Sequence, residues 1–416
     1  MIEKKINISS SKSFFEVLNN YLKNGFIIID SPFLCLKLKK DEEIVELNFN
    51  SLTAKKCDII YPSFENTQMN LVAGIIKNYN GLTNFKIDDD IFNKKYKNTI
   101  ILVLDGLGIN ILNNFNDKYP DNFLAKHFYK KVNSIYPSTT AASTTSIKTC
   151  KVPLETGWTG WNNWIREIDR NVILFNGEDY YSSDKGFING FNIMPYKYYF
   201  SNLNVLGGIV EPEFKNKDYK FKDTLDRSLK NISNGIVTQY VYDETPDKEL
   251  HVFGTNCEDI YKKLYNYSCQ IEEFYNKLPL DTLLIITADH GHIDTIDFNL
   301  FDDFILNGML ERKPSNDTRC LTFKVKKEYM ERFSRYFNSV YGKIYKLIDS
   351  KEAIRLGYFG QTDNISNRID DFLADYVALA TSNIYLCTTE KALGKKSNHA
   401  GITKEEMEVP VFILRK

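Results

Sequence analysis

Acidic and histidine residues stand directly after several apolar runs of this chain. Asp105 follows the run Thr99 to Leu104 and opens DGLG, while Asp289 and His290 follow TLLIIT, Thr282 to Thr287, within ADHGH. Ligands of open parallel sheets sit at the carboxyl ends of strands, so these side chains are the first candidates for chemistry. A strand-end aspartate also caps a following helix, and a glycine after it lets the backbone turn sharply and keeps the carboxylate accessible. DGLG lacks the third glycine of a dinucleotide loop at the required spacing, which argues against nucleotide-cofactor chemistry.

The chain has five histidines, at 127, 251, 290, 292 and 399. His251 lies four residues after Asp247 in TPDKELHVFG, which brings both side chains to one face of a helical turn. His399 sits in the polar turn KKSNHAG just before the last apolar run. Asp105, Asp247, His251, Asp289, His290 and His399 then offer oxygen and nitrogen ligands for two metal ions, with three protein ligands each and coordination positions left over. Such a pair stabilises the entering and leaving oxygens of an in-line displacement at phosphorus. The missing part is a nucleophile. IYPSTTAASTTSIKTC, Ile135 to Cys150, provides hydroxyls: after Tyr136-Pro137 the run STTAAS begins a helix. Ser138, Thr139 or Thr140 then stands at an N-terminus whose free N–H groups favour phosphate oxygens.

In this order, VLDGLG, YPSTTAASTTS, TPDKELH, ADHG and NHAG resemble the motifs of the type I phosphodiesterase/nucleotide pyrophosphatase branch of the alkaline phosphatase superfamily. The likeness covers roughly Tyr61 to Lys416 and rests on the ordered set. It implies a metal-dependent phosphoric ester hydrolase in which Thr140, with Thr139 as fallback, attacks phosphorus and passes through a phospho-threonine. It assigns Asp105, Thr140, Asp289 and His290 to one divalent ion and Asp247, His251 and His399 to the other, zinc being expected and manganese the alternative. A small phosphate ester is the implied substrate.

Where the family often reads P-E-x-H-G-I-x-G-N, this chain has PLETGWTGWNN, with Thr156 for the His and Trp161 for the phosphate-contacting Asn. Asn162, one residue on, replaces that Asn, or an aromatic wall does. Trp158, Trp161 and Trp164 cluster here, and both hydrophobic packing and a stacking surface for substrate are open. The resemblance gives His292 no role, so a structural or supporting one is expected; His127 is read as a surface-helix residue without function. A phosphomonoesterase or phosphonate hydrolase on the same core is the alternative reading, and a non-catalytic binding protein on a degenerate phosphatase fold a distant one. A sulfatase would need C-x-P-x-R, which CKVPLE does not match.

Positioning these residues requires a sheet. Besides the two runs already named, VILF (172–175), GGIV (207–210), IVTQYVY (236–242) and PVFIL (410–414) alternate with helical patterns, one of them starting near Tyr61. That order predicts an α/β fold, a three-layer alkaline-phosphatase-like core with a mostly parallel central sheet. LTFKV, KKEYMERFSRYFNSVY, KIYKL and SKEAIRLGY suggest a small α+β cap inserted at about 298–375 into a catalytic domain of residues 57–416. Residues 1–56 read as an N-terminal α+β extension, a helix from Lys12 to Leu22 followed by three strands.

Composition is globular, with 43% hydrophobic residues and a formal charge of -1 from 53 basic and 54 acidic side chains. That balance gives no electrostatic support to nucleic-acid binding. Seven cysteines are scattered without CxxC spacing, no apolar run approaches a membrane span, and the first residues lack a secretory pattern. A cytoplasmic protein with no membrane partner is the expectation.

Overall fold

A computed structural model describes residues 2–31, 34–49, 54–88, 90–214, 216 and 218–416. The acidic residues sit on a six-stranded sheet ordered Phe128–Asn133, Glu408–Arg415, Thr282–Thr287, Asn98–Leu104, Thr238–Asp243, Gly207–Val210. The last four strands run parallel, and Glu408–Arg415 is antiparallel to both of its neighbours. Asn98–Leu104 is buried at every position, as a central strand covered on both faces must be. Burying each of its Ile, Leu and Val side chains contributes roughly 1.5–3 kcal/mol.

Register matters more to function than burial. Leu104 pairs with Asp243 and Val103 with Thr287. The segments that follow three adjacent parallel strands therefore emerge together at one edge. Asp105, the helix Asp247–Phe253 and Asp289 are delivered there by the backbone alone.

Two helices brace that edge. Thr67 caps Gln68–Asn78 by accepting from the Met69 N–H, and the Asn70 side chain accepts from the Thr67 N–H, a reciprocal box that fixes the first turn. Gln68, locked in that turn, donates its amide to the carbonyls of Ala288 and Asp289. The helix Thr140–Thr149 starts at Thr140 because Thr139 is extended (φ -141, ψ 149), and the first helical bond runs from the Ser143 N–H to the Thr139 carbonyl.

Some sequence expectations fail. VILF is not a core strand: Arg170–Ile173 pairs with Asn162–Ile165 in a separate antiparallel hairpin. A four-residue apolar run carries too little periodicity to say which sheet it joins. Phe128–Asn133 takes the edge of the main sheet instead, with Lys130 and Lys131 protecting it from further pairing. The N-terminal unit has one strand more than expected, Ile2–Ile8, paired in parallel with Glu43–Phe49. The helix expected from Tyr61 begins only at Gln68.

The inserted segment forms a four-stranded sheet, Ser315–Asp317, Cys320–Phe323, Tyr376–Ala380 and Tyr345–Asp349, flanked by the helix Met330–Tyr341. Tyr376–Ala380 lies between Cys320–Phe323 and Tyr345–Asp349, so this sheet continues past residue 375. Its apolar side and that of the N-terminal unit are one core: Phe14, Phe15, Leu36 and Val45 pack in the same cluster as Phe298, Phe337 and Tyr341. Phe298 is the hinge of that contact, its ring 5.8 Å from Phe15 and 5.3 Å from Phe49. Among the described residues, no helix is long and apolar enough to cross a membrane.

Candidate active site

The turn after Asn98–Leu104 holds the first carboxylate. Gly106 has φ +75, and a Cβ there would lie 3.0 Å from both the Asp247 Cα and the His292 ring. Glycine is thus required for conformation and for close approach. Its N–H donates to Asp289 Oδ1 at 3.1 Å, tying the ends of two strands together. Ser134 and Ser143 donate their hydroxyls to the Asp289 carbonyl at 2.6 and 2.7 Å, which, with Gln68, holds this backbone from three sides.

The acidic and histidine side chains collect into two groups whose ligand atoms lie within 4.8 Å of one another: Asp105, Asp289 and His290; and Asp247, His251, His292 and His399. In the first, His290 Nε2 is 3.2 Å from Asp105 Oδ1 and 3.6 Å from Asp289 Oδ2. In the second, Asp247 Oδ1 is 2.7 Å from His292 Nε2, 3.5 Å from His251 Nε2 and 3.6 Å from His399 Nε2. All six residues singled out in the sequence are here. His292, expected to be structural or supporting, joins them.

The histidines are oriented alike. Nδ1 of His251, His290 and His399 meets the carbonyls of Ser397, Gly291 and Ser138 at 2.8, 3.1 and 3.1 Å. A carbonyl only accepts, so each Nδ1 carries a proton and Nε2 is the nitrogen each ring turns inward. Asp105 Oδ1 and Asp289 Oδ2 are buried without a hydrogen-bond partner. Orphaned carboxylate oxygens facing imidazole Nε2 atoms are the donor set of a divalent cation such as zinc, and the residues fit one at each group.

Without such a cation the groups compensate one another. Burial and the neighbouring Asp289 raise the Asp105 carboxyl well above its usual range. Burial disfavours a charged His290, yet Asp289 and Asp105 outweigh it and push the imidazole up to about 10. Burial takes His251 down to about 3 and, with the positive charge of His290, holds His399 well below its ordinary value. Burial would raise Asp247, but the surrounding histidines hold it well below the normal carboxylate range.

Thr140 opens its helix beside the first group, with Oγ1 3.4 Å from Asp105 Oδ2 and 3.3 Å from His290 Nε2. The N–H groups of Thr140, Ala141 and Ala142 precede the first helical bond, leaving donors for an anion. Thr139 is fully buried, and its hydroxyl has no hydrogen-bond partner. Tyr242 donates its hydroxyl to Asp105 Oδ2. Tyr242 reaches Asp105 because Thr238–Asp243 is the parallel neighbour of Asn98–Leu104, a pairing that nothing in the sequence marks.

Two cavities meet at this centre, both lined by Thr140, Trp161, Asp247 and His251. One, of about 760 Å³, is an aromatic cleft with Phe175, Phe191, Phe214 and Tyr242. The other, of about 320 Å³, is a polar chamber reaching Asn162, Asn316, Thr318 and Lys395. Trp161, 39% exposed, stands between them. The three tryptophans separate by role: Trp158 is fully buried and donates Nε1 to the Met194 carbonyl, while Trp164 lies under the Arg312 guanidinium. Asn162 lines the chamber, its Nδ2 donating to the Asn316 carbonyl and its Oδ1 unpartnered. Among the described residues Lys395 makes no ion pair, and its Nζ is 3.5 Å from His251 Nε2. His127 is remote from these groups in the helix Phe123–His127, its ring against Phe123.

Comparison with known proteins gives this arrangement a context. The family model for type I phosphodiesterase/nucleotide pyrophosphatase matches residues 99–401. Similar solved structures include murine ectonucleotide pyrophosphatase/phosphodiesterase 5, an inactive form in complex with AMP, at 11% identity over 76% of this chain and 87% of that one, TM-score 0.55. The human counterpart is 12% identical over 76% of this chain and 87% of that one, TM-score 0.56. Phosphonoacetate hydrolase from Sinorhizobium meliloti 1021, in complex with phosphonoformate, is 14% identical over 78% of this chain and 92% of that one, TM-score 0.54. At such identities the likeness speaks to the fold, the alkaline-phosphatase-like three-layer core. No curated protein sequence matches significantly.

Proposed function

The chain belongs to the type I phosphodiesterase/nucleotide pyrophosphatase family, a family of phosphoester hydrolases, and from that premise we propose that it cleaves a small phosphoric diester at a two-metal site with Thr140 as nucleophile. The observation that carries this reading is the Thr140 hydroxyl, at a helix N-terminus and within 3.4 Å of both Asp105 and His290. Two divalent ions, zinc or manganese, would be held by Asp105, Asp289, His290 and Thr140 and by Asp247, His251 and His399, supplying positive charge beside the oxygens that gain negative charge at phosphorus.

The chain's own groups do the rest. Thr140 Oγ1 bonds to phosphorus as the P–O bond to the leaving group breaks, the hydroxyl proton passing to solvent and the departing alkoxide taking one from it to leave as the alcohol. Water then cleaves the phospho-threonine and restores the hydroxyl. The free N–H groups of the Thr140–Thr149 helix donate to the non-bridging oxygens, and Asn162, whose Nδ2 already donates to the Asn316 carbonyl, has one Nδ2 hydrogen left to join them. Trp161 and the aromatic cleft receive an apolar or planar substituent. The proposed setting is the cytoplasm, where the seven unpaired thiols stay reduced.

A second reading, hydrolysis of a phosphonate or an ester carrying another acidic group, is favoured by Lys395, an ammonium in the polar chamber without a carboxylate partner. The two readings separate in one assay: a phosphodiester, a phosphomonoester and a phosphonate with the same chromogenic leaving group, each with zinc and with manganese. Diester preference is expected; preference for the monoester rejects the diesterase. Thr140→Ala should lower turnover at least about a thousandfold, roughly 4 kcal/mol. Near-native turnover would move the nucleophile to Thr139.

A further inference from the structure

His292 is fully buried and touches Asp247 more closely than either His251 or His399 does. Its orientation follows from its neighbours. Ser397 Oγ donates its one hydrogen to the Leu250 carbonyl at 2.7 Å, so at its 3.0 Å contact with His292 Nδ1 it must accept. Nδ1 is thus engaged outward, and Nε2 is the nitrogen that points at the Asp247 carboxylate, 2.7 Å away. A carboxylate oxygen and an imidazole nitrogen at that distance share a cation, a proton in the metal-free protein and a divalent ion once one is bound. His251 and His399 bring two further Nε2 atoms to the same oxygen.

The position is built for the ring. The Asn110 amide donates to the His292 carbonyl at 2.9 Å. Gly106 leaves the space beside the His292 ring that any other residue would fill. Taking the two-metal reading as its basis, we propose that His292 is a fourth protein ligand, with Asp247, His251 and His399, of the divalent ion at that end of the site.

The two ions then differ in kind. Four side chains that take no part in bond making resemble a closed structural site, whereas the ion beside Thr140 has three such ligands and the reacting hydroxyl in its remaining position. The Asp247 ion is retained, and the ion beside Thr140 is the one gained and lost.

The test is X-ray absorption at the zinc edge on the full chain, stripped of metal and given one equivalent of zinc. Three imidazoles per zinc are expected in the native chain, from His251, His292 and His399, and two in His292→Ala and His292→Gln. Two imidazoles in the native chain, unchanged in both variants, would overturn the proposal and leave His292 as a hydrogen-bonding partner of Asp247. One imidazole would overturn it too, placing the first zinc with His290. The native count decides alone, so a variant that fails to fold does not spoil the test. No zinc uptake at all would reject the two-metal reading itself, whereas one equivalent bound with two imidazoles would reject only the role of His292.

Discussion

Asp289 shows how a ligand is placed at the scale of one residue. Its carbonyl accepts from Gln68, Ser134 and Ser143, and its Oδ1 accepts from the Gly106 N–H, so Oδ2 is left free. Restraint from three elements removes the rotamer freedom a ligand would otherwise lose on binding. The charge balance carries a prediction. His290, pushed up to about 10 by Asp289 and Asp105 against its burial, holds a proton in the metal-free protein at pH 7.5. Its contribution to metal-free stability is complete below the ordinary histidine value near 6.5 and disappears as pH rises through about 10. Zinc must displace that proton, so uptake at pH 7.5 should release at least one proton and tighten as pH rises. Calorimetry of zinc binding in buffers of different ionisation enthalpy measures this; an enthalpy independent of buffer would contradict it. The six ligand candidates were legible because five follow apolar runs and His399 stands in the polar turn before the last one. Tyr242, Lys395 and the position of His292 were not, since their approach depends on which strands are neighbours.

At the scale of elements, the main sheet was legible because its central strands are continuous apolar runs, and IILVL and LLIIT can scarcely be anything else. VILF failed for want of length, and IEKKINI was missed because its lysines and glutamate hide an alternation that only a partner strand reveals. The turn Asp105–Gly108 does most to join sheet and site. Gly106→Ala would place a Cβ 3.0 Å from the Asp247 Cα at φ +75. We expect about 1–3 kcal/mol of destabilisation from that strain, with a loss of zinc affinity that exceeds the loss at a glycine turn away from the site. Chemical denaturation paired with zinc titration tests this, and unchanged affinity would show that Asp247 and His292 tolerate the shift.

At the scale of the whole molecule, the N-terminal unit and the inserted segment are joined through Phe298, which packs against Phe14, Phe15 and Phe49. Phe298→Ala should cost roughly 3–5 kcal/mol, and amide exchange should quicken in both Glu43–Phe49 and Met330–Tyr341. Faster exchange in only one of them would mean that the two parts are stable separately. This shared core also sets a schedule for biosynthesis. The apolar side of the first strands leaves the ribosome long before Phe298 to Leu386 exist, and at typical elongation rates it stays uncovered for on the order of ten seconds or more. During that interval Leu36, Leu38, Val45 and Leu47 have no partner surface, and the uncovered apolar side is open to aggregation or to capture by a chaperone.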